Sequence, residues 1–403
     1  MKRKLCYFVN SAWYFELHWV DRGVAAIKSG YEVYVIANFS DAATVQRLSS
    51  LGFHCINTYI DEKNINPLVF IKDFLVAKKI LDKVKPDILH CITIKPGVIS
   101  CLWAKYNNVG LVYSFVGLGR VFESNRIIFR TLKVIVTKLY RYLFNNINYK
   151  LVFEHRNDQH KMLSLLHLPK NNSIVIDGAG IDISYFNFKT QKKDSPATIF
   201  FAGRMLKSKG LNDLIQAKNL LKQRGIDCIL KVAGILVDND EDAISRKQIQ
   251  QWQDQDDIEW LGTRTDIKEL LEAAHVVALP SLYPEGIPRI LLEAGAVGRP
   301  CVVYDNDGCN ALIVDNYNGF VVERSNVSKL ADKISLLITN PDERDRMGKM
   351  PGKISKNVLR QHWLLSKRSK SIRKYIINNY FSIFNIVYVF RSETYLTPLY
   401  NLF

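Results

Sequence analysis

The chain has 403 residues with 48% hydrophobic and 23% charged side chains, the balance of a globular protein and too much chain for one ordinary core, so two domains are expected. A net charge of +16 calls for a polyanionic partner or surface, whether nucleic acid, an anionic membrane leaflet or phosphorylated substrates. Seven scattered cysteines with no C-x-x-C pair point to a reducing compartment without structural zinc, no run approaches the roughly 20 apolar residues of a membrane-spanning helix, and 1-MKRKLCYFVN reads as a strand rather than a signal peptide.

In the first half, KLCYFVN, YEVYVIA (31–37), HCINTYI (54–60), DILHCIT (87–93) and LVYSFV (111–116) read as buried strands rich in β-branched and aromatic residues. Between them, 16–29, 66–83 and 96–107 carry apolar residues at helical spacing. Such alternation predicts a parallel, doubly wound α/β sheet. The second half repeats it with ATIFFAG (197–203), ILKVAG (229–234), DIEWLG (257–262), HVVALP (275–280) and CVVY (301–304), and with helices such as 209–224 and 287–298. The charged stretch 187-NFKTQKKDSPA-197 lies between the halves. The expected architecture is two Rossmann-like domains facing across a cleft, over 1–185 and 197–350, with a linker at 186–196 and a tail at 351–403.

Ligands of such sheets bind where strand ends lead into helices. After ATIFFAG comes 203-GRMLKSKGLNDLI. Gly203 allows a sharp turn, Arg204 and Lys209 follow, and a helix then opens whose N–H groups favour an anion. The pattern suits a diphosphate; taken alone, it equally describes an ordinary solvated basic loop. After HVVALP comes 280-PSLYPEGIPRILLEAGAVGRP-300. Pro284-Glu285-Gly286 forms a turn, Pro288 suits a first helical turn, and the N–H groups of Gly286 and Ile287 are expected to face a phosphate. Glu285 and Glu293 would stand roughly 10 Å apart along a helix axis, placed to hold hydroxyls at the two ends of a sugar-diphosphate-ribose unit. The plainer reading makes Glu285 a helix-start acid favoured by the dipole and Glu293 a salt-bridged acid.

Residues 197–349 resemble the C-terminal domain of a GT-B glycosyltransferase of family 4. The likeness is carried by FAGRMLKSKGLNDLI, 261-LGTRTDIKELLEAAHVVALPS, 283-YPEGIPRILLEAGAVGRPCVVYDNDGCNALIVDNYNGFVV and 341-PDERDRMGK, with 9-VNSAWYFELHWV, 94-IKPG, 117-GLGRVF and 176-IDGAGIDISYF in the first half. It is similar to the branch that adds hexose or N-acetylhexosamine to undecaprenyl-diphosphate-linked glycans, as in O-antigen, lipopolysaccharide or capsule synthesis. The resemblance implies a UDP-sugar donor, with no cofactor and no metal, and a retaining front-face substitution rather than the double displacement of many glycosidases. It implies that Arg204 and Lys209 neutralise the leaving diphosphate, Glu285 binds the donor sugar, Gly286 and Ile287 meet the phosphate and sugar edge, and Glu293 holds the ribose. Thr263 or Arg264 would lie by the base. The acceptor side would comprise Ser11, Phe15 and His18, with Lys95 and Gly117 to Gly119 opposite, although His18 is as readily a helix-face histidine. Val116 stands where many family members carry a His, and NSAWYF replaces the usual double-glycine loop after the first strand.

The segment 120–150 has seven Lys/Arg against one Glu, interleaved with large apolar residues, the composition of a helix lying in an anionic membrane interface; a core helix with a solvated basic face is the alternative. The lipid-linked saccharide acceptor that the resemblance implies would be presented beside this face, which favours the membrane reading and a cytoplasmic, peripheral position on the inner face of the plasma membrane. Nucleic acid is disfavoured, since no helix-turn-helix, zinc or RNP signature accompanies the charge. The aromatic 376–403 segment departs from the family, as a membrane-contacting tail, a segment packing back on the first domain, or an aberrant terminus. An epimerase of the same fold and a non-catalytic scaffold in polysaccharide assembly are the competing functions. A dehydrogenase fares poorly, because neither Gly117-Leu-Gly119 nor Gly178-Ala-Gly180 is completed to G-x-G-x-x-G.

Overall fold

The computed structural model describes residues 2–350 apart from 62, 63, 65, 124, 125, 177–180, 182–184, 192–195, 238 and 239. The expected tail, part of the expected linker and most of 176-IDGAGIDISYF therefore lie outside the described residues. Those described up to Ile176 belong to one compact unit and those from Ile181 to a second.

The first unit opens with β1 (Lys4–Ser11), α1 (Ala12–His18), α2 (Val20–Lys28), β2 (Glu32–Asn38), α3 (Ala42–Ser50) and β3 (His54–Asn57). It continues with α4 (Pro67–Val84), β4 (Ile88–Ile92), α5 (Ile94–Ala104), β5 (Gly110–Phe115), α6 (Gly119–Glu123) and α7 (Ile127–Phe144). β6 (Tyr149–Phe153), α8 (Arg156–Leu166) and β7 (Ser173–Val175) complete it. The strands form one parallel sheet in the order β3-β2-β1-β4-β5-β6-β7. Helices α1 to α3 bury their apolar sides against one face and α4, α5 and α7 against the other. With both faces covered, β4 reads as an unbroken buried run. Local signals set the helix ends: Asn66 caps α4 through Leu68 N at 2.9 Å with Pro67 in its first turn, and Asp41 caps α3 through Thr44 N at 2.6 Å.

The second unit contains β8 (Ala197–Arg204), α9 (Leu211–Gln223), β9 (Cys228–Ile235), α10 (Arg246–Asp254), β10 (Glu259–Gly262) and α11 (Ile267–Ala273). β11 (Val276–Leu279), α12 (Arg289–Ala296), β12 (Cys301–Tyr304), α13 (Asp307–Asn310), β13 (Gly319–Val322), α14 (Val327–Thr339) and α15 (Pro341–Gly348) follow. The parallel sheet runs β10-β9-β8-β11-β12-β13. Strand order therefore reverses between β1 and β4 in one unit and between β8 and β11 in the other, the positions where open α/β sheets take ligands.

Several elements differ from the sequence expectations. The single helix over 16–29 is two, broken at Trp19 (φ −126°, ψ −11°), whose indole is buried against Tyr7 and His90. The apolar run 54–60 stops as a strand at Asn57, because Tyr59 turns with φ 56°. The 120–150 segment divides into α6, α7 and the start of β6, and the strands β6, β7 and β13 had no counterpart in the expected set. Residues Phe186 to Gln191, inside the charged stretch between the halves, are fastened to the second unit. Phe186 is part of its core, Gln191 joins Gly298 O (3.0 Å) to Arg344 (2.8 Å), and the buried Arg299 donates to the carbonyls of Lys189, Leu271 and Glu272 at 2.8–2.9 Å.

Gly210 shows how closely the two strand-end loops of the second unit meet. It sits at φ 78°, and a Cβ there would lie 1.9 Å from the Pro280 carbonyl oxygen. Gly210→Ala is expected to cost roughly 3–4 kcal/mol, of which about 1–2 comes from the left-handed backbone and the remainder from parting the loops. Gly225→Ala, at φ 75° with open space around it, should lose only the backbone share. Urea denaturation compares the two, and equal losses would deny the loop contact any special weight.

Candidate active site

The loops that follow β8, β11 and β12 converge at the carboxyl end of the second sheet. Beyond β8 the chain turns through Lys207–Lys209 and Gly210 before α9 begins. Tyr304, closing β12, donates to Asp213 Oδ2 at 2.8 Å and so steadies the first turn of α9. Beyond β11, Leu282 N donates to Ser208 O at 2.8 Å, which ties the two loops together through the backbone. Asn306 then donates to Ser281 O at 3.2 Å while accepting from Cys309 N at 3.1 Å. Gly308 fits for a steric reason, since a Cβ there would meet Gly286 O at 1.7 Å.

Within this frame Lys209 forms an ion pair with Glu285, and both side chains are largely buried. Ser281 Oγ donates to the same Glu285 oxygen at 2.6 Å. Burial pushes the Glu285 carboxyl up, but the Lys209 charge and hydrogen bond, the Ser281 hydroxyl and the Arg204 charge outweigh it and hold the carboxyl below its ordinary range. Arg204 itself is exposed at the end of β8. Glu293 lies in α12, which starts at Arg289, so Pro288 is the residue before the helix (ψ 120°) and Glu285 belongs to the loop. The Glu293 carboxylate is buried and accepts from Arg289 Nε at 2.6 Å, one turn earlier. Burial dominates at Glu293 and raises its carboxyl against the pull of Arg289.

The structure thus brings Arg204, Lys209 and Glu285 into one electrostatic group, with Gly286 beside α13 and Ile287 packed into the core. Gly203 lies within β8, in register with Gly234 of β9, so the sharp turn expected there comes later, at Lys207–Lys209 and Gly210. Thr263 and Arg264 follow β10; the Thr263 hydroxyl is held by Gly234 O at 3.1 Å and the exposed Arg264 by Asp266. Ser281, Arg289, Asn306 and Gly308 were not singled out in the sequence. Arg289 had a readable signal, the i,i+4 spacing to Glu293, whereas the others act only through contacts that the fold creates. Among the described residues, no three His, Cys, Asp or Glu side chains are grouped as metal ligands.

In the first unit, Ser11 ends β1 and precedes α1, and the His18 ring lies 4.6 Å from that of Tyr14. Phe15 is fully buried, packed on Tyr7 and Phe53, and serves the core. Lys95 is engaged by Asp73 (2.6 Å) and by the carbonyls of Asp61 (2.6 Å) and Asn64 (3.1 Å), which fastens α5 to α4. Gly117 and Gly119, at φ 108° and 65°, shape the turn after β5, next to the half-buried Val116. Thr93, beyond β4 at the reversal of strand order, holds φ 73° and ψ 172° with its hydroxyl buried and unpartnered. That backbone region is nearly exclusive to glycine.

Two family models together match most of the chain: a group 1 glycosyl transferase model over residues 182–351 and a glycosyl transferase 4-like model over 4–155. The N,N'-diacetylbacillosaminyl-diphospho-undecaprenol alpha-1,3-N-acetylgalactosaminyltransferase of Campylobacter jejuni is 27% identical over 350 residues, covering 83% of this chain and 90% of its own. The UDP-Gal:alpha-D-GlcNAc-diphosphoundecaprenol alpha-1,3-galactosyltransferase of Escherichia coli is 24% identical over 306 residues, covering 70% and 73%. Among solved structures, Anabaena HepE in complex with UDP-glucose matches in fold with a TM-score of 0.67 at 19% identity, over 90% of this chain and 99% of that one. WaaG, a glycosyltransferase involved in lipopolysaccharide biosynthesis, matches with a TM-score of 0.61 at 14% identity, over 86% and 93%. With two parallel α/β units, both family models and these relatives, the chain belongs to the GT-B glycosyltransferases of family 4.

Proposed function

We propose that the enzyme transfers a hexose or N-acetylhexosamine from a UDP-sugar to an undecaprenyl-diphosphate-linked saccharide, with retention of configuration and without a metal ion. The observation that carries this reading is the Lys209–Glu285 pair beside Arg204 at the strand reversal of the second sheet. Two cations and a helix start offer a diphosphate its countercharge, and a carboxylate kept ionised accepts hydroxyl hydrogen bonds from a sugar. Relatives whose names specify diphospho-undecaprenol acceptors support the acceptor class, and a fold neighbour complexed with UDP-glucose supports the donor class. Those names do not favour an epimerase or a scaffold.

In the proposed reaction the anomeric C–O bond to the diphosphate breaks as the acceptor oxygen attacks from the same face. The acceptor proton passes to the departing diphosphate. Arg204 and Lys209 stabilise the negative charge that grows on it, in a partly desolvated site where such charges act strongly. Glu285 orients the sugar and Glu293 the ribose. Magnesium and manganese should be dispensable, because the protein's own cations supply the charge.

A lipid-linked acceptor would bring the enzyme to a membrane surface, and the first unit offers a face for it. Ile127, Ile128, Val134, Ile135 and Tyr142 are exposed on α7 alongside Arg130 and Lys138, and Leu68, Ile71 and Leu75 are exposed on α4, which packs into the same core cluster. Among the described residues no helix is long and apolar enough to cross a bilayer, so interfacial contact is the mode we propose.

Labelled UDP-hexoses and UDP-N-acetylhexosamines offered with an undecaprenyl-diphosphate-sugar test the reaction directly. Product is expected at full rate in excess EDTA, with the α-linkage of the donor kept. Lys209→Ala should lower kcat/KM by about 100-fold or more. Absence of transfer from every common donor would refute the proposal.

The two glutamates should respond oppositely to removal of their charge. The folded carboxyl of Glu285 lies below its unfolded value, so its contribution is complete at neutral pH and is lost as pH falls through that lowered value. Glu285→Gln should therefore cost roughly 3 kcal/mol at pH 7, with the deficit closing in acid. Glu293 is raised, so its ionised form weakens the fold as pH climbs through that raised value. Glu293→Gln should leave the melting temperature at pH 7 unchanged or higher, yet weaken UDP binding at least tenfold by calorimetry.

Sedimentation with phosphatidylglycerol vesicles tests the membrane face. Arg130→Gln combined with Lys138→Gln should reduce binding roughly thirtyfold, since each basic residue near an anionic surface is worth about 1 kcal/mol. Equal binding by the variant would remove α7 from the membrane contact.

A further inference from the structure

The turn that carries Lys209 is held from outside the loops already described. Asp242, on the connection between β9 and α10, accepts Ser208 N at 3.2 Å on Oδ1 and the Ser208 hydroxyl on Oδ2. Its own carbonyl accepts Lys207 N at 2.7 Å. Asp240 Oδ1 accepts Asp242 N at 3.0 Å, and Leu206 pairs with Ala243 in an antiparallel bridge, so the Asp242 backbone is itself fixed. Ser208 is the hub on the other side. Its carbonyl accepts Leu282 N at 2.8 Å and lies 3.4 Å from Ser281 Oγ, and Ser281 holds Glu285.

A carboxylate beside a turn built for an anion is an electrostatic cost, because its charge opposes that of a bound diphosphate. The cost is tolerable only if its negative charge is taken up locally, and the Ser208 N–H and O–H do this. In exchange, a basic turn with no side-chain cap of its own acquires a fixed shape on both flanks of Ser208, at Lys207 and at Lys209. Preorganised charge is what makes a cation effective toward a developing anion, and small misplacements of a binding group are costly.

We infer that Asp242 is a positioning residue for the donor site. Through Ser208 it sets Lys209 on one side and the Ser281–Glu285 pair on the other, without itself touching substrate. The inference rests on the donor-site reading above, and the experiment separates the two. Asp242→Ala, Asp242→Asn and Ser208→Ala are made in the full chain. UDP affinity is measured by calorimetry, donor and acceptor KM and kcat by transfer assay, and amide hydrogen exchange at Lys207, Ser208, Lys209 and Leu282 by mass spectrometry.

Asp242→Ala and Ser208→Ala should each weaken UDP binding and raise donor KM on the order of tenfold. Acceptor KM and the melting temperature should stay close to wild type, and exchange should quicken at the four amides alone. Asp242→Asn, which keeps one acceptor oxygen, should fall between. A residue that is merely structural would instead lower the melting temperature and leave UDP affinity and donor KM of the folded fraction intact. Asp242→Ala binding UDP within twofold of wild type, with unchanged local exchange, overturns the inference. Wild-type protein that binds no UDP overturns the donor reading instead, and the exchange data then decide whether Asp242 shapes the turn.

Discussion

The Lys209–Glu285 ion pair is the constraint around which the second unit is arranged. It joins the loop after β8 to the loop after β11, on either side of the point where strand order reverses. Two largely buried charges stay ionised only when each supplies the other's field and further hydrogen bonds satisfy what remains. Ser281 provides one of those bonds and the nearby Arg204 adds to the field. The backbone has to come close for this to happen. Gly210 under Pro280 and Gly308 under Gly286 are the two positions where a methyl group would hold the loops apart. Geometry and electrostatics are therefore one requirement: glycine allows the approach, and the approach makes the pair strong.

Much of this was readable from residues. Alternating apolar runs marked the parallel strands, and turn residues marked the loops that matter, because both are local consequences of backbone sterics and burial. The basic turn with Arg204 and Lys209 and the acids Glu285 and Glu293 stood out for the same reason, as charged side chains where a hydrophobic pattern had no use for them. The partners of those acids were harder to see. Arg289 could have been found from helical spacing alone, but Asn306 and Asp242 reach the site across loops, and Ser281 meets Glu285 through the bend of their shared loop; no single-chain periodicity reports contacts of either kind. The short β7, with only three residues in the sheet, carries too little pattern to distinguish it from a loop.

The first unit teaches a complementary lesson. Phe15 and Lys95 lie in segments that invite a functional reading, yet the fold uses one as core and the other as a buried strut between α4 and α5. A polar or aromatic residue near a strand end is ambiguous until its neighbours are known. Thr93 argues the other way. It was not singled out, but its backbone conformation and stranded hydroxyl mark the first sheet's reversal point as a place where the chain accepts strain.

The Arg289–Glu293 bridge bears on how a nucleotide could dock. Because the carboxylate already has a cation one turn away, a ribose docking there, as proposed above, would meet a preassembled neutral couple rather than a naked charge. Docking then exchanges one set of hydrogen bonds for another and need not strip water from a lone ion. Attraction at the Glu293 end of the proposed site should consequently be almost indifferent to ionic strength, leaving the Arg204 end to register added salt.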